Sequence, residues 1–421
     1  MKNIKSLVVF LIVTLINAPV FAGVFAVKLS PRPSLMTAEI QAAIDSCAAN
    51  GGGEVIFSAG TFLCGGIELK SKVSLFLEKG SILQGSDKYA DYQNDAFIFG
   101  KDLSEVGIRG EGTIDGVDCY NPKGEEGFRG PHCIRFIRCT NITLEGFTIQ
   151  KSANWAINCR YCSNGKVDKV SIRGGHDGLH TRFCSNFKVS DCDFRTGDDA
   201  FAGNDNRDFV ITGCKINTSC NGFRMGCNNL IVKDCHFWGP GESPHLKQSR
   251  NNMLSAFVHF SPKDDNSKLE SGNWLIENIT VENVDQFYVY NFKDGLWQTG
   301  QPVTNIHFKN INAAGILGAY NIIGDLDLKF NLKVENSSFT FREGADYAGG
   351  KFEGATLQSP ALFNATNFET IELYNVTFTK DTAEPVLNCF SGISLTFENV
   401  NFKNSRIASP FLVEDVEEFN P

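Results

Sequence analysis

The residues best equipped for chemistry are three aspartates. Gly175-His176-Asp177-Gly178 is followed 22 residues later by Gly197-Asp198-Asp199-Ala200, so Asp177 and Asp199 hold equivalent positions with Asp198 beside them. Carboxyl groups crowded in this way cannot all ionise, because each charge raises the proton affinity of its neighbours. A cluster holding both a proton and a negative charge suits hydrolysis of a glycosidic bond. One carboxyl protonates the leaving oxygen while another activates water. In an inverting reaction the pair stands roughly 6.5–9.5 Å apart to admit that water, and the diagonal from Asp177 to Asp198 is expected to be of this order. Such chemistry needs no cofactor and no metal.

The elements that must position these carboxyls are short and repeat. Cys162-Ser-Asn-Gly-Lys-Val-Asp-Lys-Val-Ser-Ile, Cys184-Ser-Asn-Phe-Lys-Val-Ser-Asp-Cys-Asp-Phe, Asn206-Arg-Asp-Phe-Val-Ile-Thr-Gly-Cys-Lys-Ile and Cys227-Asn-Asn-Leu-Ile-Val-Lys-Asp-Cys-His-Phe follow one pattern, stepping by 22, 22 and 21 residues. A further copy starts at Cys139, and weaker ones continue to Leu395-Thr-Phe-Glu-Asn-Val-Asn-Phe402. Each copy carries two runs of period-2 alternation around an Asn, Asp or Gly turn, which reads as strand, turn, strand. Strands rich in Val, Ile and Phe at this period, with no helix between them, predict an all-β chain. The architecture is a single-stranded right-handed parallel β-helix, with rungs about 4.8 Å apart.

Thr37 to Cys47 has helical spacing, with Thr37 as N-cap and Gly51-Gly52-Gly53 as its stop, and is predicted to cap the open end of the first coil. Cysteines recurring at 139, 162, 184 and 227, and at 192, 214 and 235, are predicted to be small buried core residues rather than disulfides or a metal cluster. No linker divides the chain, so residues 23–421 form one domain.

Lys2 and Lys5 before the apolar run Leu7 to Val20, with Val20-Phe21-Ala22 behind it, read as a signal peptide over residues 1–22. The protein is therefore expected outside the cytoplasm, secreted or periplasmic. The formal charge of −9 disfavours nucleic acid and anionic membrane as partners. It also disfavours an acidic polysaccharide unless the site is locally basic. A polysaccharide substrate and a monomeric state are expected.

Rungs laid in register give columns: His176, Asp198, Cys220; Asp177, Asp199, Asn221; Leu179, Phe201, Phe223 facing inward; His180, Ala202, Arg224; and Arg182, Asn204, Gly226. His180 and Arg224 share an outward column beside the aspartates, where they contact substrate or pair with the acids. Because Asp198 and Asp199 are adjacent, an ideal strand would turn them to opposite faces, so they are placed at a corner or bulge. Trp155, Trp238 and Trp297 are weighed as sugar platforms against core packing, Trp297 alone lying in an irregular segment. Gly239 to Lys268 is polar and off the repeat, which reads as a loop flanking the cleft, its Lys247 and Arg250 suited to an acidic sugar.

On Gly175-His176-Asp177-Gly178, Gly197-Asp198-Asp199 and the rungs around them, the chain resembles the polygalacturonases of glycoside hydrolase family 28. The likeness runs from Thr37 to about Phe402. It implies a pectin-type substrate, Asp198 as general acid, and Asp177 and Asp199 holding the water. Two of that family's motifs are replaced here. Cys220-Asn221-Gly222 stands for its Gly-His-Gly, and Ser255-Ala256-Phe257-Val258-His259 for its Arg-Ile-Lys. Asn221, His259 and Tyr290, the last where the family often has a binding tyrosine, are therefore expected at the substrate, with Arg182 and Arg224 rebuilding the carboxylate grip. A polysaccharide lyase and a non-catalytic glycan-binding helix are the alternatives on this fold.

Overall fold

The computed structural model describes residues 25–262, 269–292, 301–342 and 360–421. The signal-peptide expectation and Trp297 lie outside these residues.

The strands pair only in parallel, each with the strand one coil earlier and one coil later, as a β-helix requires. The register reproduces the sequence period. Thr140 opposes Ser163, Ser163 opposes Ser185, Ser185 opposes Arg207, and Arg207 opposes Asn228. Like residues thus stack on like. Phe201 lies 4.5 Å from Phe223, nearly parallel to it, and Phe187 lies 5.1 Å from Phe209. The interior is one continuous apolar column from Met36 to Leu395.

The turns are held by a second ladder. Asn141, Asn164, Asn186, Asn229, Asn273 and their equivalents take φ between about 54° and 59°, the left-handed region that asparagine tolerates. Their amides donate to the asparagine or aspartate one coil below, as Asn164 does to Asn141 and Asn229 to Asp208.

Helix Thr37–Ala49 buries Ile40, Ala43, Ile44 and Cys47 against the first coil, so the expected cap is present. Its start differs from expectation. Met36 is the N-cap, and Thr37 turns its Oγ1 to accept from the Gly65 N–H at 2.8 Å. Tying the helix to the coil beneath takes precedence over capping. All 14 cysteines are free and buried, and the seven at the repeat positions lie in the core as the repeat predicted. The segment Gly239 to Lys268 is not wholly loop, since Ser255–His259 is a rung strand paired with Asn221–Lys233 on one side and Gln286–Asn291 on the other. Among the described residues no helix is long and apolar enough to cross a membrane.

Candidate active site

The aspartates sit at a corner, as their adjacency required. Asp177 lies between strands Ser171–Gly174 and Leu179–Arg182, and Asp198 and Asp199 lie between Asp193–Thr196 and Phe201–Thr212. Backbone bonds lock the corners in stack. The Gly178 N–H donates to Asp199 O and the Ala200 N–H to Asn221 O, both at 2.9 Å. The Asp198 carbonyl accepts from the hydroxyls of Thr196 (2.8 Å) and Thr218 (2.5 Å), which fixes the break in strand direction. Backbone leaves no room for a side chain at Gly197, and Gly175 admits one only if the Leu246 side chain moves. A Cβ on Gly197 would meet Pro244 O at 2.4 Å, and one on Gly175 would meet the Leu246 side chain at 2.5 Å. Both glycines let the 240–254 loop lie against the corner.

One oxygen from each of Asp177, Asp198 and Asp199 lies within 4.8 Å of the others. This corrects the expected separation, because stacked corners hold carboxyls at rung distance. Asp198 is the carboxyl that reaches solvent, its side chain 17% exposed against 6% for Asp177 and 4% for Asp199. Burial first, then the Asp198 charge, pushes Asp199 up to about 8 and raises Asp177 well above the carboxylate range. Burial acts on Asp198 in the same sense, but His245, Arg129 and Arg224 outweigh it and hold this carboxyl below its ordinary value. The cluster therefore carries its charge on Asp198 and its protons beneath.

Arg129 and His245 were not singled out from sequence. The Arg129 guanidinium reaches Asp198 Oδ2 at 3.3 Å through Nη2 and Glu126 at 2.8 Å through Nε. His245 places Nε2 3.7 Å from the same Asp198 oxygen. Lys247 pairs with Glu126 at 3.1 Å, so the 116–131 and 239–254 loops join in front of the aspartates. His176, expected near Asp198, is buried against Phe128 of the first loop, their rings 5.8 Å apart. Burial, then Arg129, lowers it to about 4, so it is neutral.

The structure sorts the remaining candidates. His180 belongs to the site: its Nδ1 lies 2.9 Å from Asp177 Oδ2, and Trp155 stacks on its ring at 3.6 Å and 3°. Trp155 is thus cleft wall rather than core. Arg224 also belongs, with Nη1 3.6 Å from Asp199 and its guanidinium 3.6 Å above the Phe260 ring. Arg182 lies further along the wall, over Phe183 at 5.3 Å, and is not brought to the aspartates.

Asn221 is fully buried and acts from below. Its Nδ2 donates to Asp199 Oδ1 at 2.7 Å, so it supports that carboxyl instead of touching substrate. His259 and Tyr290 are corrections as well. Both are fully buried, their rings 5.2 Å apart, and the Tyr290 hydroxyl accepts from the Val303 N–H. His259 opposes Met225, an inward position, so alternation sends it into the core. Arg250 likewise turns inward, to Ser219 O and Cys220 Sγ. Trp238 stacks with His236 and Arg195, away from the aspartates.

Two groups could hold a metal ion, the three aspartates and the set Asp198, Cys220 and His245. Arg129 stands beside both and opposes a further cation. Burial and the neighbouring aspartates keep Cys220 a thiol rather than a thiolate ligand. A groove on another wall, beside the asparagine ladder at Asn164, Asn186 and Phe187, holds no comparable cluster among the described residues.

A family profile described as "Right handed beta helix region" matches residues 106–257. A polygalacturonase from Ralstonia solanacearum is 29% identical over 178 residues, which is 33% of this chain and 34% of that protein. The match thus spans about a third of the relative's length. Among solved structures, the family 28 exopolygalacturonase of Yersinia enterocolitica is similar with TM-score 0.55 and 16% identity, over 93% of this chain and 78% of that one. A hyperthermoactive exopolygalacturonase from Thermotoga maritima is similar with TM-score 0.54 and 14% identity, over 90% and 92%. At these identities the structures speak for the fold. With the register and the aspartate corner, these likenesses give the chain a polygalacturonase-like right-handed parallel β-helix fold.

Proposed function

We propose that the protein is a glycoside hydrolase that cleaves an acidic, pectin-type polysaccharide with Asp177, Asp198 and Asp199, by inversion and without a metal. The observation that carries this reading is the geometry of the three carboxyls, with one oxygen of each within 4.8 Å of the others and Asp198 alone facing Arg129 and His245. Binding of glycan without turnover needs no such arrangement.

Charge supports an anionic substrate. Arg129 reaches Asp198 and Glu126, Lys247 pairs with Glu126 and Arg224 stands beside Asp199, so the site is locally basic within an acidic protein. The Arg224 side chain is 23% exposed and its Nη1 stands 3.6 Å from Asp199, which puts a guanidinium within reach of a sugar carboxylate at the cluster.

A substrate carboxylate drawn to Arg129 weakens the support for the Asp198 charge. A proton then passes to Asp198 from a neighbour within 4.8 Å, and Asp198 delivers it to the leaving oxygen. The carboxyl that gave up the proton is left ionised as the base. Oxygens at that separation can both hydrogen-bond one water at about 2.8 Å, so Asp177 and Asp199 can hold the nucleophile between them despite the short spacing. The role order implied by the family resemblance is reached only in the complex.

The test is reducing-end release from a panel of pectic polysaccharides, rhamnogalacturonans included, by the wild type and Asp198→Asn. Release by the wild type, cut on the order of 10²-fold or more in the variant, supports the reading; equal release by both removes Asp198 from it. Products absorbing as unsaturated uronides, formed only without chelator, would indicate a lyase. The anomer first formed, read by NMR, should be inverted.

A further inference from the structure

Two of the cations in front of the aspartates are already held by a carboxylate of the protein's own. Glu126 Oε2 accepts from Arg129 Nε at 2.8 Å, and its Oε1 pairs with Lys247 Nζ at 3.1 Å. Arg129 in turn reaches Asp198 Oδ2 through Nη2 at 3.3 Å. Asp198, Arg129, Glu126 and Lys247 thus form a row of alternating charge running outward from the corner. Burial would raise the Glu126 carboxyl, but Arg129 and then Lys247 outweigh it and hold the group below its ordinary value, so it is ionised.

The turn that carries Glu126 is tied at its base and open at its tip. The Asn121 N–H donates to Phe128 O at 3.1 Å, and Phe128 lies against His176. At the tip Glu126 takes φ of 56°, a left-handed conformation that a residue with a Cβ adopts only at a cost, beside Gly127 at 81°. Such strain persists where the surroundings hold it, and it gathers at functional sites. Here two ion pairs do the holding. The Arg129 side chain is buried, that of Lys247 is exposed, and Glu126 lies between them. Rotation about the Glu126 side-chain bonds would free both cations without moving the base of the turn. A guanidinium and an ammonium turned to one carboxylate are also what a uronate would need for its own.

We infer that Glu126 is a specificity-determining residue that acts as an internal competitor. Its carboxylate fills the place a sugar carboxylate would take between Arg129 and Lys247, and a uronate binds there only by turning it out. A sugar without a carboxylate leaves Glu126 where it is. This deepens the proposed function and rests on its choice of an acidic substrate.

The probes are galacturonate and galactose, which differ at the carboxylate and, as single sugars, offer no bond to cleave. Each is titrated by NMR into wild type and Glu126→Gln. Galacturonate should bind the variant roughly 10-fold more tightly than wild type, and galactose should bind both alike. Adding Lys247→Gln should remove most of the gain. Glu126→Ala should show the same gain, so the result does not hang on the folding of one variant, which a thermal melt checks. Galacturonate binding that is unchanged or weaker in both Glu126 variants, or an equal gain for galactose, overturns the competitor. Tighter galacturonate binding in Glu126→Gln, with no reducing-end release from any pectic polysaccharide by wild type, would leave the role of Glu126 standing and remove the hydrolase reading.

Discussion

At the residue scale, the site works by unequal support of three like groups. Arg129 and Arg224 give Asp198 permanent positive neighbours, His245 adds to them when protonated, and Asp177 and Asp199 are left in the buried layer. Arg129→Gln removes one neighbour, so Asp198 should take up a proton at higher pH. The acid limb of the pH profile of kcat/KM should therefore move upward relative to wild type; an unmoved limb with a uniform loss of rate would make Arg129 merely structural. Asp199 gives a stability test. Its proton affinity is raised in the folded state, from an ordinary 3.8 to about 8. The fold is thus favoured at low pH, and that contribution is lost as the pH climbs between these values. Asp199→Asn keeps the Asn221 contact and cannot ionise. Denaturant titrations should show the variant gaining on wild type by about 1 kcal/mol or more between pH 4 and pH 8, and a constant difference across that range would contradict the assignment.

At the element scale, each rung is set by an inward apolar ladder and an outward asparagine turn. Asn375 takes φ of 55°, donates to Asn336 and accepts from Asn399. Asn375→Ala loses both bonds and strains a left-handed position, so it should destabilise by about 1–2 kcal/mol. Asn375→Gly relieves the strain and should lose less, in the same thermal or denaturant melt. Because these ladders repeat at near-constant length, the wall was legible in the sequence, as were the columns of Asp177 over Asp199 and of His180 over Arg224. Loops follow no such register. Arg129 lies three residues before the strand His132–Ile137, and His245 lies in a segment read as flanking the cleft, but no spacing rule aims either at Asp198. His259 and Tyr290 were misplaced for a different reason. Their polar atoms suggested the cleft, while the parity they share with Phe257 and Tyr288, both buried in the core, already pointed inward.

At the molecular scale, a stack of coils makes one long wall on which a linear polymer can lie. The chain as a whole is acidic, yet its wall beside the aspartates is basic, so attraction for a polyanion is local. Salt should therefore weaken uronate binding, with most of the effect reached once the Debye length falls to about 8 Å near 0.15 M. Salt-independent binding would argue for a neutral ligand.

The most direct measurement is cleavage of an oligogalacturonate in ¹⁸O-labelled water by wild-type and Asp198→Asn protein, followed by mass spectrometry. Hydrolysis at these carboxyls places one heavy oxygen in each new reducing end with the wild type and leaves the variant nearly silent. Unlabelled products, or labelling that persists undiminished in Asp198→Asn, would contradict the central claim.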